Sequence, residues 1–304
     1  MRSRVAIMLA LVALLTGACS QESAAPKPAP SPSALTAAPS YDALAEPSSA
    51  VLPLVPEAAV SLTVTDFDTV RLQLGSSELT SKSPRTERDA FWQRAETETA
   101  LLTRGMLRPV EAKLAADYGF TQDDVDWEAH FFDASGAEIG WVLSIRLIVD
   151  MGAVQRAVDD GVGPLADGAV VAGEHLVVHG TAAAGQASWA TDPVWSSLVG
   201  SAASSTYAAR GCVPVDSAPV ELEPLDAYSV AFQGTLATAR LGVGRTDLFA
   251  RLGLGDGLPT FATGFTGGVA DPTTGRIGYE MVDPPAAADL ALRGSLPFAA
   301  CAPS

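Results

Sequence analysis

Two ten-residue stretches constrain the fold of this chain most. FDASGAEIGW (132–141) and ADPTTGRIGY (270–279) each carry an Asp, a turn and then Ile-Gly-aromatic at the same spacing. Turn residues feeding an apolar run read as a β-hairpin. Upstream, TVRLQLG (69–75) resembles TARLGVG (238–244), and each precedes a helix opening, RDAFWQRA and TDLFARLG. Downstream of each hairpin stands an Asp, Asp150 or Asp283, whose side chain can satisfy the free amides of a following helix; Pro284 suits a first helical position. The order is strand, helix, strand, strand, helix, then a closing strand, AVVAGEHLVVHG in one copy and SLPFAACA in the other. This pattern predicts an α+β fold of two tandem ferredoxin-like (split βαβ) units with antiparallel sheets, residues 58–211 and 212–304. The first is larger, with extra helices near PVEAKLAADYG and DPVWSSLVG. Strand alternation then puts Ile139 with Trp141, and Ile277 with Tyr279, on core-facing sides, while Gly140 and Gly278 face outward or allow close backbone approach.

The start of the chain speaks to destination. Arg2 and Arg4 form a basic opening, Val5 to Leu15 an apolar run, and Thr16-Gly17-Ala18 a small-residue approach to Cys19. That is the layout of a secretory signal over residues 1–18. Its apolar run is short for a bilayer span, which needs roughly 20 residues. LLTGAC resembles a bacterial lipobox, with Thr16 where an aliphatic residue is usual. Few lysines among many arginines, abundant Ala, Gly and Val, and no asparagine make the chain similar to an actinobacterial envelope lipoprotein. The resemblance implies that the Cys19 thiol takes a diacylglycerol, becomes residue one, and anchors the protein to the outer face of the cell membrane. Residues 19–57, rich in Ala, Pro and Ser, read as a disordered tether that cannot bury enough apolar surface to offset its ordering entropy. Such a tether would hold the body roughly 30 to 35 Å from the bilayer.

Removing Arg2 and Arg4 with the leader leaves 17 basic against 35 acidic side chains, a formal charge of -18. Phosphate-backbone binding needs clustered Lys and Arg, and none appear, so nucleic acid is not an expected partner. Anionic lipid headgroups would repel the body, which leaves the acyl chains as its membrane attachment. Cys212 and Cys301, the two cysteines left over, are expected to form one disulfide in an oxidising compartment. Closing a loop of about 90 residues is worth roughly 4 to 5 kcal/mol in the chain-entropy model. As metal ligands two isolated thiols supply only half of a zinc shell.

Candidate chemistry is thin. Glu174, His175 and His179 in EHLVVH superficially form a zinc-protease set, but that needs a helix. On a strand the two histidines stand about 13 Å apart and share no ion. In DDVDWE, Asp124, Asp126 and Glu128 alternate with Val125 and Trp127, which reads as an amphipathic strand with its carboxylates in solvent. An EF-hand would need a Gly at the sixth position and a distant Glu. GVGRTD (242–247) reads as a turn, with Thr246 as N-cap and Gly253 as helix stop, since Asp247 would oppose a bound phosphate. His130 has no sequence-level partner, and no G-x-S-x-G or S-x-x-K motif occurs. No catalytic, metal or cofactor residue is assigned. The expected function is binding or scaffolding by a membrane-tethered envelope lipoprotein, its partner an envelope protein or a small ligand in a cleft between the units. The alternatives are a solute-binding lipoprotein of a transporter or an envelope hydrolase.

Overall fold

Among the described residues, ten strands form a single antiparallel sheet in the order β4-β5-β3-β2-β1-β6-β7-β8-β10-β9. They are β1 (Ser61–Asp66), β2 (Val125–Phe132), β3 (Glu138–Ile145), β4 (Ala169–Val171), β5 (Leu176–His179), β6 (Ser205–Arg210), β7 (Ala227–Gln233), β8 (Leu236–Arg240), β9 (Phe265–Asp271) and β10 (Arg276–Met281). The computed structural model describes residues 40–215 and 221–302. The leader, Cys19 and the first part of the expected tether lie outside the described residues.

The helices are α1 (Pro47–Ala50), α2 (Phe67–Gln73), α3 (Arg85–Glu98), α4 (Glu111–Asp117), α5 (Met151–Asp159), α6 (Pro193–Leu198), α7 (Leu248–Gly253), α8 (Pro259–Ala262) and α9 (Pro284–Leu292). Four begin at an aspartate whose side chain accepts from a first-turn amide: Asp66, Asp150, Asp192 and Asp283. Asp150 and Asp283 are the caps expected from sequence.

The two-unit expectation needs correction. A split βαβ unit requires a parallel pairing between its first and third strands, whereas every strand pair here is antiparallel. The sheet instead divides into two five-strand halves that follow one path, with a different boundary. In each half the opening strand (β1 or β6) pairs with the first strand of a hairpin (β2–β3 or β7–β8). After a helix comes a second hairpin whose later strand lies inside, giving β3-β5-β4 and β8-β10-β9. The halves meet where β1 and β6 pair, with Thr63 opposite Tyr207 near the midpoint. Equivalent registers are Ser61 opposite Phe132 and Ser205 opposite Phe232.

The Ile-Gly-aromatic triplets therefore occupy non-equivalent strands. Ile139-Gly140-Trp141 lies in β3, the outer strand of a first hairpin, and Ile277-Gly278-Tyr279 in β10, the inner strand of a second one. Their likeness is turn chemistry. Asp133 accepts from the amides of Ser135 and Ala137, and Asp271 from the Thr273 amide and the Thr274 hydroxyl. A register shift beside Gly140 also separates Ile139 from Trp141, which pack in clusters on opposite sheet faces. Trp141, Ile277 and Tyr279 are buried. A Cβ on Gly140 would stand 2.5 Å from the His179 carbonyl, and Gly278 is open to space.

Both expected closing strands fail too. AVVAGEHLVVHG breaks at Ala172–Glu174 and at His175, which takes a left-handed φ of 53°, making β4–β5 a hairpin. SLPFAACA carries a 3₁₀ turn, Pro297–Ala299, and meets the chain through a single bridge, Ala300 to Val213. The Cys212–Cys301 disulfide is present beside that bridge, with its Cα atoms 4.9 Å apart.

One face of the sheet carries two apolar cores. Trp141, Leu143 and Val177 pack with α2 to α5 in one half; Val230, Ile277 and Tyr279 pack with α7, α8 and α9 in the other. The opposite face is covered over its centre by Val51, Leu52 and Val55, together with Trp189 and Trp195, whose rings stack at 3.7 Å. The body thus begins before residue 58: Tyr41 already lies 6.4 Å from Trp127, ring to ring. Residues 40–57, expected as part of the tether, pack on the body instead, because VLPLV, lodged in a Pro- and Ala-rich stretch, is apolar enough to dock.

Candidate functional site

Between the two cores of the helical face runs a polar seam, built because β1 and β2 turn alternate residues to that side. Leu62, Val64, Trp127 and Ala129 face away, so Thr63, Thr65, Glu128 and His130 face the helices. Residues 99–107 roof this seam. Glu128 is fully buried and accepts from the Thr103 hydroxyl, from the Met106 amide at 3.2 Å and from the Gln122 amide at 3.1 Å. Gln122 also accepts from the Leu107 amide at 2.8 Å, and the Thr103 amide donates to Thr65 Oγ1 at 3.3 Å. Gly105, at φ 87°, lets the roof pass over Gln122, which a Cβ would meet at 2.6 Å.

His130 stands between two acids, with Nε2 3.3 Å from Glu128 and Nδ1 2.5 Å from Glu138. Burial opposes a charged ring, but the hydrogen bonds and charges of Glu128 and Glu138 outweigh it and lift the imidazole to about 9. An imidazolium so held cannot take a proton from a nucleophile at neutral pH. Its chemistry here is to neutralise Glu128.

Above the seam opens a cleft of about 500 Å³. One wall is the end of α3 with residues 99–104; the other is α9, through Asp283, Ala286, Asp289 and Leu292. The cleft thus lies where the helices of the two halves meet. Thr103 forms part of its wall while its hydroxyl is bound to Glu128, so the lining is fixed to the polar seam.

Placement of the sequence candidates differs from expectation. Asp124, Asp126 and Glu128 do not share a solvent face. Asp124 ends a 3₁₀ turn (Gln122–Asp124), is buried, and accepts from the Thr121 and Ser81 amides. A register shift follows between Val125 and Trp127. Asp126 is half-buried within 4 Å of Arg71 and Arg146. Burial, then the neighbouring Asp68, pushes it up to about 7, while Asp68 sits below its ordinary range; burial opposes that shift, but Arg71 outweighs it.

His175 and His179 do not converge. His179 stacks on Trp141 and its Nδ1 lies 2.8 Å from the Asp167 carbonyl. Among the described residues no group of three or more His, Cys, Asp and Glu side chains is placed to hold a metal ion. In GVGRTD the helix α7 starts after Asp247, without a side-chain cap from Thr246, whose hydroxyl donates to Glu223. Asp247 instead holds Arg245 and the fully buried Arg251, whose guanidinium also donates to the Phe298 and Ala300 carbonyls. Despite burial, these partners and the Glu223 amide hold Asp247 down at about 2.

What the sequence reading missed is the pair at the centre, Glu128 and His130. The signal was present: residues two apart in a strand share a face, and Glu138 lies across the hairpin from them. Comparisons with known protein families, with curated proteins and with solved structures find no match to this chain.

Proposed function

We propose that this is an exported, lipid-anchored envelope protein that binds a small polar ligand in the cleft between its two halves. The cleft carries the reading: at about 500 Å³ it is the size of a ligand site, and it lies at the meeting of two repeated elements. Its lining mixes threonine hydroxyls and carboxylates with the apolar Leu292 and Ala286. The Cys212–Cys301 disulfide fits an oxidising compartment. The leader ending at Cys19 supports the anchor. A transporter-type solute-binding lobe is disfavoured, because such lobes are built from parallel βαβ crossovers and this sheet is antiparallel throughout.

Two measurements test the two parts separately. Cys19→Ala should release the protein from membrane fractions or leave it unprocessed; unchanged membrane retention of a correctly cleaved chain refutes the anchor. For the cleft, native mass spectrometry of protein purified from its own envelope should show a bound small molecule. Ala286→Trp, which fills the cleft from a half-buried wall position, should abolish that adduct. An adduct that survives Ala286→Trp, or its absence from the wild-type protein, refutes ligand binding there.

A further inference from the structure

On the sheet face opposite the cleft, two adjacent inner strands of the second half carry two arginines directly opposed, Arg240 on β8 and Arg276 on β10. Both lie on that face because their neighbours Ala239 and Ile277 pack into the core on the other side. Like charges at directly opposed positions repel. Arg240 is only 7% exposed, with no carboxylate within ion-pairing distance among the described residues. One terminal nitrogen donates to the Ser201 hydroxyl, while its Nε–H is buried with no acceptor among the described residues. Burial, then the charge of Arg276, depresses its basicity.

The acids nearby do not supply the missing charge. Asp271 is the cross-strand neighbour of Arg276 but lies beyond ion-pairing distance of both arginines, held by the Thr273 amide and the Thr274 hydroxyl of its own turn. Glu280 sits on the same strand face beyond Gly278 and makes no ion pair with either arginine. A buried guanidinium left with a single neutral acceptor is costly unless an anion completes it. The arginine fork matches planar or tetrahedral oxyanions in two-point contact.

We infer that Arg240 and Arg276, with the Ser201 hydroxyl, form a binding site for an oxyanion group, a phosphate or carboxylate carried by a ligand on the sheet face away from the cleft. The site does not depend on the cleft reading, since it lies on the other face and uses none of its residues. The strongly negative body does not forbid it, because charges beyond a Debye length of about 8 Å are screened at physiological salt.

The test is a titration of the mature chain with inorganic phosphate and, separately, with acetate, at ionic strength matched with chloride and followed by NMR. The amide signals of Ser201, Thr238 and Gly278 should move and saturate with at least one of the two anions. The tighter anion tells which group the natural ligand carries. Arg276→Gln, at an exposed position, should weaken that binding about tenfold, and Arg240→Met should remove it. Because Arg240→Met can fail on folding grounds, Arg276→Gln decides alone. Shifts equal to those from chloride, or saturation unchanged in Arg276→Gln, overturn the proposal.

Discussion

His130 makes stability depend on pH in a way that can be worked from the structure. Its ring rises from an ordinary value of 6.5 to about 9 because Glu128 and Glu138 favour the charged form more than burial opposes it. A group whose folded value lies above its unfolded one adds stability that is complete below the unfolded value, here 6.5, and is lost as pH climbs through 9. At about 1.4 kcal/mol per pH unit of separation the contribution is about 3 kcal/mol. Little solvent reaches the ring, whose side chain is 12% exposed, so the discount for screening is small. The assay is urea unfolding of the disulfide-intact mature chain at pH 6 and pH 10, for wild type and His130→Gln. Asp126, near 7, also loses its contribution as pH rises, so the wild type alone cannot isolate the ring. The difference between the two proteins should shrink by about 3 kcal/mol from pH 6 to pH 10. A difference independent of pH, or an NMR titration midpoint for His130 at or below 6.5, refutes the reasoning.

Trp141→Ala should destabilise the body by about 3 to 5 kcal/mol, because the ring is buried beside Gly168 and stacked on His179; a loss below 1 kcal/mol on denaturation would contradict that packing. Replacing Cys212 and Cys301 together by Ala should cost about 4 to 5 kcal/mol by the chain-entropy estimate, read as a lower urea midpoint than that of the oxidised wild-type protein; an unchanged midpoint would refute it. Gly140→Ala should be more harmful than Gly278→Ala in thermal melts, since a methyl at the first meets the His179 carbonyl and at the second meets nothing. Equal melting temperatures for the two would show that β5 does not press against β3.

Local chemistry was legible and long-range pairing was not. The Asp133 and Asp271 turns, the Asp150 and Asp283 caps and the disulfide follow from residues close in sequence or from counting cysteines. The sheet order does not, because nothing within SLTVTD says that STYAAR will be its neighbour. The same limit hid the seam. Asp-x-Asp-x-Glu alternation reads identically whether the polar side meets water or a roof, and only Thr103 and Gln122, folding back from elsewhere, bury Glu128. AVVAGEHLVVHG reads as one strand from sequence because the left-handed turn at His175 lacks the glycine that normally announces it.

Among the strand pairs, β1 with β6 joins the segments farthest apart in sequence. Each half can assemble its hairpins from neighbouring segments, but the central ladder joins residues 61–65 to residues 205–209 and waits until both are made. Closing a loop that long costs entropy that no local contact repays in advance, and topologies dominated by such pairings fold slowly. Until the ladder closes, β1 and β6 present bare edges, the state in which a chain is most exposed to aggregation. On the proposed export route that delay is useful. A polypeptide that cannot complete its centre early stays threadable until it has crossed the membrane, and the disulfide then forms beside the half that was last to arrive.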